Sequence, residues 1–257
     1  MSDEAEASSP NTPAACVTIA TDAWGGRSGR PGTVPYGGIL QGVSFLLPIE
    51  FDLVATFLAA ITGVWAASRR GYDLVGVLVL ATVTSVGGGL MRDAIFIAQM
   101  PIVVQDARYL WAILSAVLVG ALTYRWSERG VHLFSYTDAL AMGVYGVYGA
   151  NWAMISGIAP EAAVLVGLCN AVGGGMIRDV LVREEPLIFK PGQLYAIAAL
   201  VGCILFVALS HNYGWEDQRA AWLAIASTLL VRAAAIRFNW TTVAIRDWWR
   251  RRKDSSS

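Results

Sequence analysis

One short motif occurs twice in this sequence and holds its most chemically capable side chains. The segments 86–93 and 172–179 both read Val-Gly-Gly-Gly-x-x-Arg-Asp. An adjacent arginine and aspartate can bind an anion, a cation or each other. Each glycine inside a helix costs about 1 kcal/mol relative to alanine, so a triplet favours a break in the helix. Because the freed carbonyl and N–H ends attract cations and anions respectively, we expect a pathway for a small ion or zwitterion at the two motifs.

The candidate pathway residues belong to these motifs or lie just before them. They are the glycine triplets, the Arg-Asp pairs and one polar residue three positions before each triplet: Thr84, Gly87, Gly88, Gly89, Arg92, Asp93, Asn170, Gly173, Gly174, Gly175, Arg178 and Asp179. Secondary candidates are Asp52, Asp138 and Ser85. Simpler interpretations remain open: close helix packing for the glycines, helix-to-helix hydrogen bonds for Thr84 and Asn170, and helix caps for Asp52 and Asp138.

Membrane-spanning helices are the elements predicted to position the motifs. The 257 residues are 56% hydrophobic and 15% charged, whereas a globular domain has about 25% charged residues. A helix that crosses a bilayer needs about 20 apolar residues. The apolar runs predict an all-α polytopic membrane protein with seven transmembrane helices, at residues 45–68, 74–92, 107–125, 137–157, 161–178, 193–210 and 219–238.

The same composition argues against several other classes of protein. Basic and acidic residues balance to a net charge of zero, so no nucleic-acid partner is expected. The three cysteines and two histidines lie far apart and show no metal-ligand spacing, so no metal or cofactor is expected. The glycine triplets lack the Lys-Ser/Thr of a phosphate-binding loop, and no nucleophile–base arrangement is present. The sequence therefore does not predict an enzyme.

An internal repeat relates the two motifs at an offset of 86 residues. The same offset pairs residues in three successive spans: Asp52 with Asp138, Gly63 with Gly149, Gly71 with Gly157 and Tyr109 with Tyr195. Three crossings reverse the direction of the chain, so the second copy must be inverted in the membrane. The predicted architecture is a 3+3 inverted repeat plus a seventh helix. Its parts are a disordered tail at 1–44, repeats at 45–130 and 131–216, the seventh helix at 217–240 and a basic cytoplasmic tail at 241–257.

The distribution of basic residues predicts the orientation of this architecture. Of the 19 Lys and Arg, thirteen fall on the side of the C-terminus, four fall on the other side, and Arg92 and Arg178 lie within the motifs. Cytoplasmic loops carry the excess of Lys and Arg in membrane proteins. We therefore expect a cytoplasmic C-terminus and an external N-terminus.

The arrangement resembles a known family. Two three-span repeats, each with Gly-Gly-Gly-x-x-Arg-Asp in its second helix, and a seventh helix are similar to the prokaryotic branch of the trimeric intracellular cation (TRIC) channels. That branch merges with bacterial proteins described as carrying a glycine-transporter domain. The resemblance covers about residues 45–238, and the basic lipid-binding motif of the animal members is not found on the second helix here.

This resemblance implies a homotrimer in which every subunit has its own pore, formed by helices 2 and 5 kinked at their glycines. It implies permeation of monovalent cations, chiefly potassium, in the inner or plasma membrane of a prokaryote, with membrane lipids as partners. A transporter of glycine or a similar small zwitterion is the alternative, since Arg can hold a carboxylate and Asp an amine. The same residues serve both functions, so the sequence leaves the two open.

Overall fold

The chain divides into two units, Met1–Ser44 and Phe45–Ser257. The computed structural model describes residues 16–17, 34–35, 47–98, 100–130, 132–190 and 194–240. In the first unit, strands β1 (Cys16–Val17) and β2 (Val34–Pro35) pair antiparallel, which the sequence does not predict. The predicted disorder of the remaining tail and the predicted basic tail at 241–257 lie outside the described residues.

The described part of the second unit is all-helical and contains seven long helices. They are α1 (Ile49–Arg69), α2 (Leu74–Met91), α3 (Arg108–Arg129), α4 (Leu133–Ile155), α5 (Pro160–Leu181), α6 (Tyr195–Val207) and α7 (Asp217–Arg237). Helices α2 and α6 each continue into a π-helical turn, at Arg92–Ile97 and Ala208–Asn212. A four-residue helical turn, Ile102–Gln105, precedes α3. The predicted bounds of the spans lie within five residues of these helix ends.

The ends of the helices follow from local sequence. The side chain of Asp73 accepts a hydrogen bond from the backbone N–H of Gly76 and caps α2. Pro160 occupies the first turn of α5, where its missing N–H leaves no bond unmade. Gly71 and Gly157, which the repeat pairs, follow α1 and α4 with φ of +71° and +84°. That left-handed conformation suits glycine and ends both helices in the same way.

Six of these seven helices, with their π-helical turns, are long and apolar enough to cross a membrane. The helix that falls short is α4, which carries Asp138 and Asn151 among its tyrosines and glycines. Nearly all of α4 from Asp138 to Ala153 is buried, and it packs against α1, α5, α6 and α7. Protein rather than lipid surrounds this helix, so a polar composition is tolerated there.

The predicted break at the glycine triplets is wrong. The α-helical hydrogen bonding of α2 runs through Gly87–Gly89 to Met91, and α5 runs through Gly173–Gly175 to Leu181. The irregular turn begins only at Arg92. Contacts between α2 and α5 offset the low helix propensity of the glycines, because small residues let two helix backbones approach closely.

Candidate functional site

Helices α2 and α5 touch through their glycines. A Cβ on Gly88 would lie 2.2 Å from the backbone oxygen of Asn170, and a Cβ on Gly174 would lie 2.0 Å from that of Thr84. These two contacts are equivalent under the 86-residue repeat. No residue larger than glycine fits at either position unless the helices move apart, so Gly88 and Gly174 allow the two helices to pack closely.

The crossing of α2 and α5 is antiparallel. A Cβ on Gly87 would meet Ile177, whereas one on Gly173 would meet Met91, so contact positions rise along one helix as they fall along the other. Each Arg-Asp pair follows its glycines in sequence. Arg92 and Arg178 therefore lie on opposite sides of the crossing, each about one helical turn beyond it.

The Arg92 cluster, formed by Asp52, Arg92, Asp93 and Tyr109, lies on one side of the crossing. Arg92 is 1% exposed, and its Nε lies 2.6 Å from Oδ1 of Asp93. Its NH1 is 3.8 Å from Oδ1 of Asp52. The hydroxyl of Tyr109 donates a hydrogen bond to the other Asp52 oxygen. Asp52 makes no capping bond at the start of α1, so its partners are Arg92 and Tyr109 rather than the helix end.

The Arg178 cluster, formed by Asp138, Arg178, Asp179 and Tyr195, lies on the other side. The Nε of Arg178 lies 2.9 Å from Oδ1 of Asp179, and its NH1 lies 2.8 Å from Oδ1 of Asp138. Tyr195 is also hydrogen-bonded to Asp138. Asp138, like Asp52, thus acts as an arginine partner and not as a helix cap. In each cluster the motif aspartate neutralises the motif arginine.

Each arginine also reaches across to the opposite repeat. The guanidinium of Arg92 lies 5.3 Å from the ring centre of Tyr148, and NH1 of Arg178 donates to Oγ1 of Thr62 at 2.9 Å. Positions 62 and 148 are themselves 86 residues apart. The reciprocal contacts place both arginines within one continuous set of interactions between the repeats.

The second oxygens of the motif aspartates hold the segments that follow the helices. Oδ2 of Asp93 accepts from the backbone N–H of Ile102 at 3.0 Å, and Oδ2 of Asp179 accepts from that of Leu187 at 3.2 Å. The aspartates therefore connect the arginines to the segments after α2 and α5. A change at either aspartate is expected to disturb both.

Thr84 and Asn170, predicted beside the pathway, lie buried at the crossing. Thr84 donates to the carbonyl of Leu80 within its own helix at 2.6 Å. Nδ2 of Asn170 donates to the carbonyl of Tyr145 on α4 at 2.6 Å, while Oδ1 of Asn170 is buried without a hydrogen-bond partner in the described residues. Asn170 thus makes the helix-to-helix bond that the simpler interpretation predicts.

A cavity adjoins each cluster. The cavity at the Arg92 cluster has about 10 Å³, space for about one water molecule, and is also lined by Thr56, Ser85 and Tyr145. The hydroxyl of Tyr145 donates to the carbonyl of Ser85 and lies 3.0 Å from Oγ1 of Thr56. The cavity at the Arg178 cluster has about 70 Å³ and is also lined by Arg69 and Lys190. The closed glycine crossing lies between these two polar spaces.

Several site residues were missed by sequence reasoning. Tyr109 and Tyr195 had a signal, since the repeat pairs them, but their hydroxyls were not connected to the aspartates. Tyr145 gave no signal. Arg232 was counted among the basic residues of the cytoplasmic side, whereas the structure buries it to 2% exposure beside Tyr195. An arginine inside the last apolar span was the signal for it.

No group of three or more His, Cys, Asp or Glu side chains suited to a metal ion occurs in the described ranges. The two clusters instead pair carboxylates with guanidinium groups. Such an arrangement provides fixed charges and hydrogen bonds between buried side chains.

Comparison with known proteins finds a matching family model and related membrane proteins. The family model for the glycine transporter domain matches residues 50–125 and 135–211. A UPF0126 membrane protein of Vibrio cholerae is 34% identical over 189 residues, covering 73% of this chain and 78% of its own. The UPF0126 inner membrane protein YadS of Escherichia coli K12 is 34% identical over 195 residues, covering 76% and 94%.

Solved structures show the same fold. A TRIC trimeric intracellular cation channel orthologue from Rhodobacter sphaeroides superposes with a TM-score of 0.67 at 30% identity, covering 74% of this chain and 97% of its own. A second structure, described for conductance through TRIC cation channels, gives a TM-score of 0.67 at 29% identity and covers 77% and 97%. The resemblance expected from the repeated motif is confirmed.

Proposed function

We propose that this chain, which belongs to the glycine transporter domain family of membrane proteins, is a monovalent cation channel that conducts chiefly potassium. Its fold is that of the prokaryotic TRIC channels. One observation carries the proposal. Two buried Arg-Asp clusters lie on opposite sides of an antiparallel helix crossing that contains only backbone and glycine at its tightest points.

Neutralised arginines favour a cation pathway. An unpaired arginine in a pore would repel cations, but Arg92 and Arg178 are each bonded to the aspartate that follows them. Each cluster contains a further carboxylate, Asp52 or Asp138, so its described members carry two negative groups and one positive group. Buried groups of this kind mark ion routes in membrane proteins.

The pathway we propose runs through each subunit, along α2 and α5. It joins the two cavities through the crossing of Gly88 and Gly174, which is closed in this structure. Because the closest approaches at Gly88 and Gly174 are to backbone atoms, a small separation of α2 and α5 would open the crossing. The backbone oxygens of Thr84 and Asn170 would then face the passing ion, together with the glycine positions predicted from the motif.

The membrane topology we propose is a 3+3 inverted repeat of seven spans. Helix α4 would be the remaining span, enclosed by its neighbours. Side-chain contacts at one end of the bundle support this arrangement: Arg69 at the end of α1 donates to Ser127 near the end of α3, and Arg70 pairs with Glu184 after α5. The repeats would occupy 45–130 and 131–216, with α7 outside the symmetry.

We propose that this end of the bundle faces the cytoplasm, in the inner membrane of a prokaryote, because it carries the excess of basic residues. The N-terminal tail would then be external and the basic tail at 241–257 cytoplasmic. A homotrimer is the assembly proposed, by likeness to the Rhodobacter sphaeroides orthologue. Exposed apolar side chains on α3, from Leu110 to Trp126, would face lipid or a neighbouring subunit.

Glycine transport is the second candidate, supported by the name of the matching family model. It requires an arginine that is free to bind the carboxylate of the substrate. Both motif arginines already bind carboxylates of the chain itself. The geometry therefore favours the channel.

The deciding experiment uses the full-length protein in liposomes. We expect potassium current of channel scale and no saturable exchange of labelled glycine. Saturable glycine counterflow without potassium current would replace the channel by the transporter. Asp52→Asn is expected to lower the potassium current, because it removes a buried negative charge beside the route. Asp106→Asn, at a half-buried carboxylate in the segment before α3, is the matched control and should conduct like the wild type.

A further inference from the structure

Helix α7 lies outside the repeat, so any charge it adds to the pathway breaks the symmetry of the two clusters. The Arg92 cluster contains two carboxylates and one guanidinium, a formal charge of −1. The Arg178 cluster contains the same groups at equivalent positions and has the same charge. The repeat alone would therefore produce a pathway with matched ends.

Arg232 of α7 changes the balance at one end. Its guanidinium lies 5.1 Å from the ring centre of Tyr195, and it interacts electrostatically with Asp138. Both residues belong to the Arg178 cluster. With Arg232 included, the described groups of that cluster sum to zero, whereas the charged groups that interact with Asp52 are Arg92 and Asp93.

The position of Arg232 is fixed by close packing of its helix. Thr228, one turn before Arg232, lies between glycines of two other helices. A Cβ on Gly202 of α6 would meet Oγ1 of Thr228 at 1.9 Å, and one on Gly143 of α4 would lie 3.3 Å from its Cβ. Residues four apart share a helix face, so the packing of Thr228 against Gly202 and Gly143 directs Arg232 towards the bundle interior.

We propose that Arg232 sets the difference in cation affinity between the two ends of the pathway and so makes the current rectify. This inference rests on the proposed channel function. The end with charge −1 concentrates cations, and the neutral end does not. With the proposed orientation the Arg92 cluster is nearer the external side, so inward potassium current exceeds outward current. Arg69, Lys190 and Glu184 also line the cavity at the neutral end, and salt screens the exposed groups among them.

The test is single-channel recording of the reconstituted full-length protein in equal potassium chloride on both sides. For the wild type we expect currents at equal and opposite voltages to differ by about 2- to 10-fold, the effect of one partly screened charge near the route. Arg232→Gln should bring the ratio close to one by raising the smaller current. Arg232→Lys keeps the charge and should keep the ratio.

A double variant separates charge from packing. Arg232→Gln combined with Asp138→Asn makes the Arg178 cluster neutral again and should restore rectification. A thermodynamic cycle measures the coupling of Arg232 to Asp138 without any transport. It compares the melting temperatures in detergent of the wild type, Arg232→Gln, Asp138→Asn and the double variant. We expect the loss of melting temperature caused by Arg232→Gln to be partly recovered when Asp138→Asn is added.

The outcomes distinguish the two proposals. Wild-type protein without potassium current overturns the channel itself. Wild-type current that is symmetric, or a ratio unchanged by Arg232→Gln, overturns the role of Arg232 and leaves the channel standing. If the melting temperatures show no coupling between Arg232 and Asp138, that role is also overturned, whatever the currents show.

Discussion

The backbone oxygen of Asn170 lies so close to Gly88 that a Cβ on this glycine would stand 2.2 Å from it. The repeat provides the reciprocal contact of Gly174 with Thr84. Helices α2 and α5 are therefore held together backbone to backbone at two equivalent points. The same contacts close the proposed route, so stability and conduction depend on one crossing.

A methyl group at this crossing should separate the two helices. Gly88→Ala is expected to lower the free energy of unfolding by about 1–3 kcal/mol, because the clash is with backbone and no rotamer can relieve it. Gly174→Ala should behave alike, since its Cβ would meet the oxygen of Thr84. Unfolding in detergent measures the stability of the variants. Potassium flux from liposomes measures the opening of the crossing between α2 and α5.

Gly89→Ala is the matched control in the same triplet. The nearest atom to a Cβ there is NH2 of Arg92 at 3.8 Å, an ordinary contact. This variant should be neutral or more stable by up to about 1 kcal/mol, since alanine favours helix. If Gly88→Ala were as stable as Gly89→Ala, the close crossing would not exist.

The buried arginines should be far more important for stability than exposed ones. Arg178→Leu removes the guanidinium that pairs with both Asp138 and Asp179 in the interior, and we expect a loss of about 3–5 kcal/mol. Arg70→Leu breaks the exposed pair with Glu184 and should cost about 0–1 kcal/mol. Melting temperatures of the two variants provide the comparison. Equal, small losses would show that the Arg178 cluster is open to water.

The hydroxyls of Tyr109 and Tyr195 should stabilise the carboxylates of Asp52 and Asp138. Tyr109→Phe removes the donor to a buried oxygen of Asp52, and a cost of about 1–3 kcal/mol follows from leaving that oxygen unsatisfied. Tyr72→Phe removes only an exposed bond to the carbonyl of Leu181 at 3.5 Å and should be silent. Chemical unfolding of both variants tests the difference; a silent Tyr109→Phe would mean that water replaces the phenol.

The inverted topology predicts opposite exposure of equivalent turns. Cysteine at Arg70, after α1, should react with an impermeant reagent only in permeabilised cells. Cysteine at Ala159, before α5, should react in intact cells, because three crossings separate the two turns. Both positions are exposed in the bundle. Reaction of both from the same side would eliminate the inverted repeat. The background must lack the native cysteines: Cys16, Cys169 and Cys203.

Sequence reasoning was most successful where a regular pattern repeats. Six helices long and apolar enough to span a membrane lie close to predicted bounds, because sustained apolar runs of about 20 residues leave few alternatives. The motif residues Arg92, Asp93, Arg178 and Asp179 were identified from the 86-residue offset, and the structure pairs them as adjacent ions. Asp52 and Asp138 were also identified, although a cap was the competing interpretation.

The state of the glycines could not be derived in the same way. A triplet lowers helix propensity and also allows close packing, and the sequence contains both effects with opposite consequences for the helix. Which of the two effects dominates depends on the surface that faces the triplet. Here the facing surface is the glycine triplet of the other repeat, so packing prevails and both helices stay continuous.

What the sequence by itself determined is thus the membrane class, the internal repeat and the identity of the paired charges, since all three follow from periodicity and composition along one chain. Only the tertiary structure decided that the crossing is antiparallel, that Tyr109 and Tyr195 complete the carboxylate clusters, and that Arg232 joins one cluster alone. These are contacts between residues far apart in sequence. Their geometry is set by how close the helix backbones can approach, which glycine permits but does not specify.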